Sequence, residues 1–261
     1  MDPALRTAAT GMMAQQTRTE VIANNLANVN TTAFKRSRAH FVDLLYQTVQ
    51  GTATVSQNDA NTTPTIQVGR GTRLAAVQRL EGQGPVEATQ RPLDIAIEGD
   101  GYYQVQVGNG QVAYTRDGSF QISDQGTLVT SGGQTIVPGI KIPADASLVT
   151  VAPNGIVSIN REDGRSEEVG RIELARFANP SGLLAIGENL FRTTPASGDP
   201  ITGFPQDQGM GRLLQGHLEG SNVEIVQEMV DMIAAMRAYE LNSKSVKNSE
   251  SMTEIANNLV R

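Results

Sequence analysis

The chain has 261 residues, 39% hydrophobic and 18% charged, which suits one large domain or two to three small ones that fold in water. A formal charge of −6, with no basic run interleaved with aromatics, argues against a nucleic-acid partner. Cys is absent, which excludes disulfides and thiolate chemistry, and no apolar run has the length of a membrane span or the form of a secretory signal.

The first element is a helix from Pro3 to Val29. Pro3 suits a first turn, where its missing N–H costs nothing, and Asp2 is a candidate cap. Leu5, Ala8, Met12, Gln15, Thr19, Ile22, Leu26 and Val29 step alternately by three and four, a heptad seam with a polar middle. Ala4, Ala9, Met13, Val21, Ala23 and Ala27 widen that apolar surface beyond what one partner helix covers. Asn24, Asn25, Asn28 and Asn30 give a polar face and then a stop signal. The string IANNL occurs at Ile22–Leu26 and again at Ile255–Leu259.

Phe34–Tyr46 begins with Lys35, Arg36 and Arg38 and fits either a short helix or an extended linker. Gln47–Thr65 is rich in Thr, Gln, Asn and Ala and predicts a long polar loop. Extended segments resume at Ile66–Val68 and Thr72–Leu80.

The centre is β. Short strand-like runs at Asp94–Glu98, Tyr102–Val107, Gln111–Arg116, Ser119–Ser123 and Thr127–Thr130 alternate with Gly, Asn and Asp turns. Leu148–Val151, Ile156–Ile159 and Val169–Phe177 follow, and the close spacing favours antiparallel pairing. Beyond Phe177 the chain reads as loop-rich.

Ser221–Arg261 contains no Pro or Gly and predicts a second long helix, capped by Ser221 or Asn222 with Glu224 in its first turn. Ile225, Met229, Met232, Met236, Tyr239 and Val246 repeat at coiled-coil spacing. Met252, Ile255 and Leu259 continue at helical spacing after a step of six. The expected fold is α+β: long terminal helices in an antiparallel coiled-coil-like terminal domain, around an antiparallel all-β central body. The expected division is 1–32 with 221–261 as the helical domain, 33–90 with 196–220 as linker, and 91–195 as the β domain.

Signatures of chemistry are sparse. His40 and His217 are the only histidines. Gly69-Arg70-Gly71 and Gly82-Gln83-Gly84 do not open a helix after a strand, as a dinucleotide loop requires. Asp100, Asp117, Asp124 and Asp163 sit in separate turns without calcium-loop spacing. No cofactor or metal is expected, and the constellation points to assembly. The rival readings are a secreted β-rich ligand-binding module and a hydrolase working through carboxylates such as Asp100 and Asp117.

The segments ATGMMAQQTRTEVIANNLANVNTTAFKRSRAHFVDLLYQ, PLDIAIEGDGYYQVQV, FANPSGLLAIGENLF and LEGSNVEIVQEMVDMIAAMRAYELNSKSVKNSE carry a resemblance over most of the chain. It resembles the rod-and-hook family of bacterial flagellar axial proteins, and within that family its distal-rod branch rather than a proximal rod or hook paralogue. Ala33 stands where many members carry Gly, so a glycine-type helix stop is not expected there.

The resemblance implies a non-enzymatic subunit that polymerises helically into a rigid hollow shaft crossing the periplasm. The subunit would be exported by the flagellar type III apparatus without a cleavable signal peptide. The implied partners are further copies of the chain, proximal rod and hook proteins, and peptidoglycan and outer-membrane ring proteins, with no direct membrane insertion. The assembly interface is expected at Leu5, Met12, Ile22, Asn25, Leu26, Val29, Ile225, Met229, Met232, Met236, Tyr239, Val246, Met252, Ile255 and Leu259. A rod-stiffening role is expected for Gln47, Gly51, Asn58, Asn61, Pro64 and Thr65.

Overall fold

The computed structural model describes residues 3–50, 66–143, 145–161, 165–207 and 209–259. Two long helices occur, α1 over Pro3–Ala27 and α2 over Ile225–Leu259. At 1.5 Å rise per residue α2 is about 50 Å long. α1 ends two residues before Val29, in a turn where Thr31 N–H donates to the Asn28 carbonyl at 3.1 Å. Ala33 then takes φ +57°, a left-handed conformation, although it is not glycine.

α2 begins at Ile225 and not at Ser221. The expected cap is used elsewhere. The Asn222 side chain accepts from Arg36 N–H at 2.7 Å and donates to the Leu80 and Gly82 carbonyls, each at 2.9 Å. Ser221 Oγ accepts from Val223 N–H at 3.3 Å.

The chain divides into two compact units. The first holds the described residues of Met1–Leu26, Ser37–Gln78 and Ile225–Arg261, and the second those of Ala27–Arg36 and Arg79–Glu224. In the first, Ser37–Asp43 is a strand whose residues alternate between half-buried and exposed as far as Val42, with Arg38 and His40 outward. It pairs with Thr72–Arg79, so Phe34–Tyr46 is largely extended. Gln47–Gln50 pairs antiparallel with Ile66–Val68, Gln47 opposite Val68. The segment expected as a loop therefore opens as a strand. Residues 51–65 of it lie outside the described residues.

The second unit is β throughout, and every described pairing within it is antiparallel. Among the described residues its main sheet has nine strands. Tyr102–Val107 is central: Tyr103 faces Thr115 on one side and Leu174 on the other. This strand is buried on both faces. Tyr103 and Val105 join the larger core with Ile95, Ile97, Phe120, Ile159 and Leu213, while Tyr102 joins Tyr114, Phe177 and Leu183. Gly118 passes so close to the Ile95 backbone that a Cβ there would stand 1.8 Å from the Ile95 carbonyl oxygen.

Several strands lack the expected signals. Val169–Phe177 divides into Ser166–Arg171 and Leu174–Arg176. The stretch read as loop-rich contains a hairpin, Leu184–Gly187 with Leu190–Arg192, turned by Glu188 and Asn189, both at positive φ. Arg212–Gln215 pairs with Ile95–Glu98, and His217–Glu219 with Val86–Ala88. Among the described residues no helix is long and apolar enough to cross a membrane.

Candidate assembly interface

Along α1 the expected seam is largely covered. Ala8, Ile22 and Asn25 are buried, and Leu5, Met12, Gln15 and Leu26 are half-buried. Val29, past the helix end, is also half-buried. Met13, beside the seam, is 69% exposed.

On α2 the covered line is a different one. Glu228, Ala235 and Ser249 are buried and Asn242 is half-buried, at a strict interval of seven. Three contacts join this line and its neighbour Asp231 to α1. Asn25 Nδ2 donates to Glu228 Oε2 at 3.2 Å, and Arg18 pairs with Asp231 at 2.8 Å. A Cβ on Gly11 would stand 3.0 Å from Asn242 Nδ2. Ascending α1, the partners descend α2.

The large apolar residues of α2 do not lie on that line. Ile225, Met229, Met236, Tyr239, Met252 and Ile255 are exposed, Met232 and Val246 are half-buried, and Leu259 closes the helix, its side chain outside the described residues. The α2 residues expected at the assembly interface therefore lie off the line buried within the subunit, and most of them are exposed. Asn242 beside Gly11, with small side chains at Ala235 and Ser249 on the same line, suits a close approach of two helices, whereas a line of methionines holds them apart. Val226 at 76% and Ile233 at 58% exposure widen the bare apolar surface. Glu228, Ala235, Asn242 and Ser249 were legible only as a seven-residue repeat of small or polar residues, which a search for apolar periodicity passes over.

Asn25 also ties α1 to the ribbon. Its Oδ1 accepts from Ser37 N–H at 2.8 Å, and its Nδ2 donates to the Ser37 carbonyl at 2.9 Å. Thr10 Oγ1 accepts from Thr72 N–H at 3.3 Å beside Gly71, whose φ is +109°. The ribbon itself exposes Leu45, Tyr46, Ile66, Val68 and Val77. Two-stranded ribbons bury little apolar surface unaided. Of the expected stiffening residues, Gln47 lies in a ribbon strand and is exposed, while Gly51, Asn58, Asn61, Pro64 and Thr65 fall outside the described residues.

His40 is an exposed strand residue of the first unit, and His217, in the second, has Nδ1 2.8 Å from the Gln215 carbonyl. Asp117 Oδ1 accepts from both the amide and the hydroxyl of Ser119, which makes it a turn-former. Among the described residues no three potential metal ligands lie together.

Three family models match the chain. They are the flagella basal body rod protein at residues 5–35, the flagellar hook protein FlgE/F/G D1 domain at 96–159, and the flagellar basal body rod FlgEFG protein C-terminal at 214–259. The chain is 50% identical to the flagellar basal-body rod protein FlgG of Borreliella burgdorferi, over 99% of this chain and 98% of that one. The FlgG of Caulobacter vibrioides is 46% identical over 98% of each chain. The FlgG of Bacillus subtilis is 38% identical over 96% of each. The chain belongs to the FlgG family of flagellar basal-body rod proteins.

Proposed function

We propose that this rod subunit polymerises helically into the distal rod, a straight hollow shaft that carries motor torque to the hook and lets exported subunits pass. The observation that carries this reading is the bare apolar face of α2. Ile225, Val226, Met229, Val230, Ile233, Met236 and Tyr239 are all exposed, although each is large and apolar. At roughly 25 cal/mol per Å² such a surface gains several kcal/mol when covered, and a helical polymer covers it with other copies of the same chain.

The two helices, paired antiparallel through Glu228, Asp231 and Asn242, form the inner layer of the tube. The β body of about 91–195 forms its outer wall, next to the peptidoglycan and outer-membrane rings. The ribbon and the polar segment that follows Tyr46 contact neighbouring subunits and stiffen the shaft. Proximal rod subunits lie below and hook subunits above, and the chain reaches its place through the flagellar export apparatus. No chemical step is involved. Torque passes through packed side chains.

Removing residues 1–30 or 222–261 tests the reading. Loss of rods and motility is expected, with the β body still folded. Normal rods from either truncation would overturn it.

A further inference from the structure

The two units are joined by four chain connections, at Leu26–Ala27, Arg36–Ser37, Gln78–Arg79 and Glu224–Ile225. Inside the second unit the segments that carry these connections meet at one polar cluster. Asn222 is its hub. Through one amide group it bonds Arg36, Leu80 and Gly82, and its own N–H donates to the Phe34 carbonyl at 3.3 Å. Leu80 N–H donates to the Arg36 carbonyl at 2.9 Å, and Ala33 N–H to the Glu219 carbonyl at 2.8 Å.

Beneath the hub lies a buried ion cluster. Glu219, with no exposed side-chain surface, receives Lys35 Nζ on Oε1 and Arg116 Nε on Oε2, each at 2.5 Å, and Gly84 N–H on Oε1 at 3.0 Å. Lys35 Nζ also donates to the Gly82 carbonyl at 2.8 Å. Arg116 carries the cluster into the β sheet, donating to the Gly99 and Gly101 carbonyls at 2.7 and 3.2 Å. Residues 33–36, 80–84 and 219–222 are far apart in sequence, and side-chain and backbone bonds lock them into one body anchored by Arg116.

We propose that Asn222 and the Lys35–Glu219–Arg116 cluster are positioning residues that form the mechanical node of the subunit. The node makes four separate chain connections act together when a twist arrives from the helices. Linked units move relative to one another by default unless something pins the linkers. A charge-assisted cluster out of water resists shear because parting any pair leaves a buried ion or dipole unmatched. The proposal rests on the reading that this chain carries torque.

The test uses the full chain, purified and also expressed in a flagellated host lacking its own copy. Asn222→Ala removes the hub. Lys35→Met removes one cation and leaves the Arg116–Glu219 pair intact should the first variant fold poorly. In either variant, hydrogen exchange at Arg36, Leu80 and Ala33 rises about tenfold while strand Tyr102–Val107 keeps its protection. Rods still form and cells swim in dilute medium, but speed in viscous medium falls below that of the unmodified chain. Unchanged exchange at Arg36 and Leu80 overturns the proposal, as does equal loss of protection in Tyr102–Val107, which marks a general folding role. Altered exchange with unaltered swimming at every viscosity overturns the mechanical part. Failure of the unmodified chain to restore rods overturns the torque reading itself, and the proposal with it.

Discussion

Asn25 of α1 donates to the Glu228 carboxylate of α2 at 3.2 Å across 203 positions of sequence, and both side chains are buried. The same amide closes on both backbone groups of Ser37. Asn25→Ala removes one bond to the buried Glu228 carboxylate and takes away the side-chain partner of both Ser37 backbone groups. It is expected to destabilise the first unit by about 3 kcal/mol, the scale of leaving buried polar groups unmatched. Met13→Ala, at an exposed site of the same helix, is expected to change stability by less than about 0.5 kcal/mol. Urea unfolding followed by helical circular dichroism compares the two. Equal effects would count against the Asn25 anchor.

Ala33 holds φ +57° and is buried. A left-handed conformation costs an L-residue roughly 1–2 kcal/mol, and the greater freedom of unfolded glycine offsets part of the relief. Ala33→Gly is therefore expected to stabilise the second unit by about 0.5 kcal/mol, and Ala33→Val to destabilise it by about 2 kcal/mol or more. Denaturant midpoints read both. A lower midpoint for the glycine variant would show that the methyl group contributes more than the backbone strain takes away.

Burial alone raises the Glu219 carboxyl, but Arg116 and Lys35 beside it outweigh burial and hold it below its ordinary value of 4.5. A folded-state value below the unfolded one gives stability that is complete above about pH 4.5 and is lost as pH falls through the folded value. The second unit should hold its melting temperature down to that pH and lose it below. Glu219→Gln leaves two buried cations around a neutral amide, with an expected cost of about 3–5 kcal/mol at pH 7 and a flatter acid limb. Lys35→Met costs less, because Arg116 and Glu219 still neutralise each other. A Glu219→Gln protein with an unchanged acid limb would remove Glu219 from that role.

Much of the fold was legible. Tyr102–Val107 matches its predicted bounds because a short run rich in Tyr and Val is closed by glycine on each side. The helix of Ser221–Arg261 was found from the absence of breakers, yet its start was misplaced, because nothing local shows that Asn222 is bonded to Leu80. The hairpin around Glu188 and Asn189 was missed, since neither residue is the glycine that positive φ usually requires. The apolar line of α2 was legible from its methionines, whereas the line buried within the subunit, through Ala235 and Ser249, was not. Apolar periodicity reports what must be covered. It does not say whether the subunit itself or another copy covers it.

Copies of the chain are expected to meet on the bare face of α2. Because the chain has no Cys, Met236→Cys supplies a single thiol on that face. A photoactivated crosslinker attached to that thiol should join copies in assembled protein, and none in dilute monomer.

The most direct measurement is electron microscopy of the purified full chain beside the double variant Met229→Glu with Met236→Glu. The unmodified chain is expected to form straight hollow filaments. The variant should stay monomeric with an unchanged melting temperature for the second unit, since two carboxylates on that face cannot be covered by an apolar partner. Filaments of normal form from the variant would contradict the account.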